Sequence, residues 1–121
     1  MKRWLPAFLA SIALAAPACA MEASFSWRGI PRCSKTSPAF TITAAPDGVA
    51  SLRFALRDAD VATFDHGGST IPYSARVPRG AINYIGPCPP PGKMHRYIWT
   101  VDALDRSGNV LATTQVEGRY P

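Results

Sequence analysis

Ser51-Leu52-Arg53-Phe54-Ala55-Leu56-Arg57 alternates throughout: Leu52, Phe54 and Leu56 fall on one face, Arg53 and Arg57 on the other. A period of two belongs to a β-strand with one buried and one wet face. Working outward, Tyr97 to Leu104 repeats the pattern, with Tyr97, Trp99, Val101 and Ala103 on one side. Asp105-Arg106-Ser107-Gly108-Asn109 then reads as a hairpin connection, from which Val110 to Thr114 returns before Gln115 to Pro121 trails off. Upstream, Ala23 to Trp27 and Ala39 to Thr43 read as short strands, and Ala45-Pro46-Asp47-Gly48 as a turn. Thr70 to Tyr73 is a further short strand that Pro72 confines to a sheet edge, while Phe64-Asp65-His66-Gly67-Gly68 reads as a loop. No long helical period interrupts residues 21–121. The expected fold is all-β, a small sandwich with little or no helix.

The chain of 121 residues has room for one domain. Its first twenty residues read as a cleaved secretory signal. Lys2 and Arg3 precede an apolar run from Leu5 to Ala16, and Ala18-Cys19-Ala20 supplies the small-x-small cleavage pattern. The run is short and Ala-rich for a membrane span. Lipidation of Cys19 is the rival reading, against which Ala16-Pro17-Ala18 is a poor lipoprotein signal. The expected domain is therefore residues 21–121, periplasmic or secreted. It keeps two cysteines, Cys33 and Cys88, an even pair that in an oxidising compartment forms a bridge, with two free thiols as the alternative. Without Lys2 and Arg3, 11 basic residues face eight acidic ones, and the basic residues are scattered. That excludes a nucleic-acid partner and suits a small anion.

The candidate site lies at strand ends. Gly86-Pro87-Cys88-Pro89-Pro90-Pro91-Gly92-Lys93-Met94-His95-Arg96-Tyr97 is stiff because proline fixes φ and donates no amide. It presents His95 and Tyr97 directly before a strand. Asp58 and Asp60 follow another strand, on one face if the backbone stays extended. His66 and His95 are the two histidines of the chain. Two imidazoles oriented by carboxylates would offer donors and positive charge to an anionic group. Each residue also has a plainer role: Asp-x-Asp caps turns, a loop histidine is solvated, and a proline run is a connector or a polyproline ligand. No His-x-His, Cys-x-x-Cys or calcium-loop spacing supports a metal, and none calls for a cofactor. No nucleophile elbow, Cys–His pair or phosphate-binding glycine loop appears.

The stretch Ala81 to Asp105, with Tyr84-Ile85-Gly86-Pro87-Cys88-Pro89-Pro90-Pro91-Gly92, His95-Arg96-Tyr97 and Ala103-Leu104-Asp105, resembles a signature of the phosphatidylethanolamine-binding protein family, the Raf-kinase-inhibitor-like group with short bacterial members. Asp58-Ala59-Asp60-Val61-Ala62 is similar to its Asp-Pro-Asp-x-Pro turn, with both acids and neither proline, and Ser37-Pro38-Ala39-Phe40 is similar to an early Ser-Pro segment. The resemblance implies a β-sandwich with a small anion pocket for phosphate-like head groups. It places Asp58, Asp60, His66, Gly86, Pro87, His95 and Tyr97 at that pocket.

The function expected is an exported, non-catalytic binding domain for a phosphate- or carboxylate-bearing ligand, including a phospholipid head group. The alternative is a protein-interaction module, such as an inhibitor of a secreted or periplasmic protease, whose stiff loop enters a cleft. A weak hydrolase with His66 or His95 as base comes last, for want of a nucleophile.

Overall fold

The computed structural model describes residues 1–11 and 19–121. Part of the expected leader, residues 12–18, lies outside the described residues, and residues 1–11 are exposed and contribute nothing to the core. Seven strands follow: β1 Glu22–Phe25, β2 Phe40–Thr43, β3 Ser51–Asp58, β4 Asp65–Pro72, β5 Arg76–Val77, β6 His95–Leu104 and β7 Val110–Tyr120. They form two antiparallel sheets, ordered β1-β2-β5 and β4-β3-β6-β7. The all-β sandwich expected from the sequence is the fold.

The core lies between the sheets. Leu52, Phe54 and Leu56 of β3 are almost wholly buried, as are Tyr97, Trp99, Val101 and Ala103 of β6. Each large apolar side chain so buried contributes about 1.5–3 kcal/mol. Trp99 sits at the centre, with Phe40 edge-on at 5.2 Å and Phe25, Phe54 and Tyr84 around it. Gly118 of β7 is a small residue by necessity. A Cβ there would meet Phe25 at 2.6 Å and Trp27 Nε1 at 3.1 Å, and that indole N–H donates to the Gly118 carbonyl at 3.3 Å. This contact fastens the chain after β1 onto the larger sheet.

Three boundaries differ from expectation, each for a local reason. First, β4 starts at Asp65, so His66, Gly67 and Gly68 belong to a strand and not to a loop. The β3–β4 register shifts between Ala55 and Arg57. There a Cβ on Gly68 would stand 1.7 Å from the Phe54 carbonyl oxygen, and Gly67 takes φ +70°. The glycines permit a bulge inside the ladder rather than ending it. Second, β7 does not trail off at Gln115 but pairs with β6 as far as Tyr120, opposite His95. Val116, Gly118 and Tyr120 turn inward while Glu117 and Arg119 face solvent. Third, β6 begins at His95, so this residue is held by the sheet as well as by the proline loop.

Candidate anion site at the end of the sandwich

The alternation that buries Leu52, Phe54 and Leu56 brings Asp58, the last residue of β3, onto the same inner face. Asp58 is opposite Tyr97 in the β3–β6 ladder, and His95 lies two residues from Tyr97 on the same side. His66 enters from β4, buried at the same end. These four, together with Val61, Phe64, Ile85, Gly86, Cys88 and Pro90, line a cavity of about 220 Å³. Drug-sized sites span roughly 300–1,000 Å³, so this one is small.

Asp58 divides its two oxygens. Oδ1 accepts the backbone N–H groups of Asp60 at 2.8 Å and Val61 at 3.2 Å, making the turn that ends β3. Oδ2 accepts Nδ1–H of His95 at 2.6 Å. The turn-capping role and the site role are thus one residue's two halves. Asp60 does not share the inner face, because the turn breaks the extended backbone: it is half-exposed and accepts the Arg96 N–H at 2.7 Å, outside the cavity lining. Pro87 is also outside the lining, fully buried, with its carbonyl accepting Cys33 N–H at 2.9 Å. Asp58, His66, Gly86, His95 and Tyr97 do come together.

His66 is held by a reciprocal clamp. Its Nδ1–H donates to the Ile85 carbonyl at 2.7 Å, and its own carbonyl accepts Ile85 N–H at 2.8 Å. A carbonyl can only accept, so the proton on His66 is fixed at Nδ1. The Asp58 carboxylate fixes the same tautomer in His95. In both rings Nε2 has no hydrogen-bond partner among the described residues. Tyr97 stands edge-on to His66 with ring centres 5.4 Å apart. Burial first, and then the Asp58 carboxylate, push its hydroxyl up to about 12, so it remains a neutral donor.

Burial opposes ionisation of Asp58, yet the hydrogen bonds from His95 and Asp60 N–H, the His95 charge and Val61 N–H together hold its carboxyl below the ordinary value. A carboxyl lowered on folding lends stability that is complete above its unfolded pKa and is lost as pH falls through the folded value. Thermal unfolding scanned downward from pH 6 will therefore show a fall in midpoint that begins near pH 4 and continues below it. Asp58→Asn will flatten that fall, and an unchanged slope would contradict the assignment.

The apolar part of the lining, Val61, Phe64, Ile85 and Pro90, was not singled out from the sequence. A faint signal exists in Val61-Ala62-Thr63-Phe64, which puts two large apolar residues into a connection between a carboxylate and a histidine. Among the described residues no three His, Cys, Asp or Glu side chains gather to hold a metal ion.

The model of the phosphatidylethanolamine-binding protein family matches residues 66–120, from His66 through the proline loop to the inner end of β7. Over that stretch the chain is similar to the phosphatidylethanolamine-binding protein family. Solved structures with the same fold include a phosphatidylethanolamine-binding protein homologue from Chlamydia trachomatis, CT736, and E. coli YbcL. CT736 is 22% identical with a TM-score of 0.63, the match covering 84% of this chain and 97% of that one. YbcL, described as a member of the mammalian family, is 22% identical with a TM-score of 0.56, over 71% of this chain and 80% of that one. No curated protein sequence matches the chain. Asp58 lies upstream of the stretch matched to the phosphatidylethanolamine-binding protein model, and the sandwich joins it to that stretch through the β3–β6 ladder.

Proposed function

We propose that the chain is an exported, non-catalytic binding domain whose cavity holds a small anion. The observation that carries this reading is the Asp58–His95 pair. With Nδ1 committed to Asp58 at 2.6 Å, a protonated His95 has one remaining donor, Nε2–H, in a residue that lines the cavity. His66, fixed in the same tautomer, turns Nε2 free, an acceptor while the ring is neutral and a donor when it is protonated. The lining contains no serine, threonine or free thiol to attack a bound ester, which favours holding over turnover. Export is supported by the Cys33–Cys88 disulfide, which suits an oxidising compartment. No helix among the described residues is long and apolar enough to cross a membrane.

The test is titration with inorganic phosphate and phosphoethanolamine, followed by heteronuclear NMR of the two histidine rings. A hydrogen bond to a charged group is worth about 1.5–3 kcal/mol, so His95→Ala is expected to weaken binding about tenfold or more. A wild-type protein that binds neither ligand at millimolar concentration would refute the proposal.

A further inference from the structure

The two sheets have four edges, and three of them are blunted. β1 is four residues long and β5 two. β4 ends at Pro72, and it receives Asn83 N–H on the Ser69 hydroxyl and Ile85 N–H on the His66 carbonyl. β7 is left open. It is the longest strand, at eleven residues, and among the described residues no backbone hydrogen bond other than those to β6 reaches it. Val110 to Val116 carries neither a charge nor a proline, the usual guards of an exposed edge. Val110 and Leu111 are 51% and 39% exposed, and Ala112, Thr114 and Val116 stay part-exposed although they turn inward.

The direction of the open backbone groups follows from Arg96. Its carbonyl accepts Ala59 N–H at 2.8 Å and its own N–H donates to Asp60 at 2.7 Å, so both groups turn toward the β3 side. Backbone groups alternate along an antiparallel strand, so Tyr97, Trp99 and Val101 turn theirs to β7, where Gly118, Val116 and Thr114 stand opposite. Thr113, Gln115, Glu117 and Arg119 are therefore left with N–H and C=O directed at the free edge, a template for one more strand. A second copy of the chain carries the same row. Placed antiparallel about a two-fold axis at Gln115, it sets Gln115 against its own counterpart and Thr113 against the second copy's Glu117. Each such pair can exchange both N–H···O bonds, no like charges stand opposed, and the inner faces stay on one side. We propose that the protein forms a two-fold dimer, β7 against β7 about Gln115. The contact is isologous and the other edges are blunted, so association closes at two copies rather than growing into a fibre. His95 lies opposite Tyr120, toward the far end of β7 from Val110, so the two cavities face away from each other and take no part. The inference is independent of what the cavity holds.

Sedimentation equilibrium from micromolar to near-millimolar protein is expected to show monomer and dimer and nothing larger. Amide exchange by NMR reads the edge itself. As concentration rises, the N–H groups of Thr113, Gln115 and Glu117 are expected to slow about tenfold or more, while those of Thr114 and Val116, already bonded to β6, change little. Both Gln115 and Thr113 are exposed, so lysine at either leaves the core untouched. Gln115→Lys opposes two ammonium groups at the axis and is expected to raise the dissociation constant about tenfold or more. Thr113→Lys sets each ammonium opposite the second copy's Glu117 and is expected to lower it about twofold or more. A lysine that merely guarded the edge would weaken the dimer at either position, so opposite effects single out this pairing. A protein still monomeric at near-millimolar concentration, a dimer indifferent to Gln115→Lys, or one that Thr113→Lys weakens overturns the proposal.

Discussion

Gly86→Ala is expected to cost about 3–5 kcal/mol, among the larger effects a single methyl group can have. A Cβ at this position would stand 1.8 Å from the Ser34 carbonyl oxygen and 3.0 Å from its carbon. Both are backbone atoms, so no rotamer change relieves the overlap. The segments are also tied together from both sides, by the Cys33–Cys88 bridge and by Cys33 N–H donating to the Pro87 carbonyl. Either the loop lifts off residues 33–34 or the bridge region distorts. A domain of this size has about 5–15 kcal/mol in hand, so the variant will be partly unfolded or nearly so at ordinary temperature. Gly92→Ala is the control. That glycine has φ +76° but nothing within 4 Å of a Cβ, so it pays the backbone term alone, about 1–2 kcal/mol. Urea unfolding of the two variants separates contact from conformation. If Gly86→Ala unfolds at the same urea concentration as Gly92→Ala, the close approach is not what holds the loop.

Removing the bridge by Cys33→Ser with Cys88→Ser is expected to cost about 4 kcal/mol, the loop-closure value for a separation of 55 residues. Its structural effect should be concentrated at one place. Cys88 lines the cavity, and its neighbour Pro87 contacts the segment after β1, so the bridge fastens one wall of the site. Anion affinity should fall together with the denaturation midpoint, and it should fall even in buffer where the variant is still folded. A variant that is less stable yet binds phosphate as before would show that the prolines and the Ile85–His66 clamp hold the wall alone.

The sequence disclosed the parts of this molecule in which side-chain pattern and backbone agree. In β3 and β6 the alternation is unbroken, and it extends without change to Asp58 and His95, which is why both could be placed at a common end. It failed where a residue's usual habit is overruled by its neighbours. Gly67 and Gly68 punctuate most chains, yet here Gly68 lets β4 lie against the Phe54 carbonyl, so a strand looked like a loop. Gly118, between Glu117 and Arg119, looked like a frayed end, although its missing side chain is what admits Trp27. Asp60 was misplaced because its orientation depended on an extended backbone that the Asp58 cap itself bends. The apolar mouth was invisible for a different reason. Phe64 and Ile85 are ordinary hydrophobic residues in sequence, and only the fold leaves them half in water beside two histidines.

One consequence of the Asp58–Tyr97 pairing concerns parity. The carboxylate faces inward only because an even number of steps separates it from Leu52, Phe54 and Leu56 along β3. An insertion or deletion of one residue within that strand would turn either the carboxylate or the three apolar side chains outward. Such a change in β3 cannot therefore exchange the site's chemistry while sparing the core, whereas substitutions in the mouth residues Val61, Phe64 and Ile85 are free of that constraint. Among relatives built on the same strand, diversity of ligand should accumulate at the rim and length changes should avoid the strand.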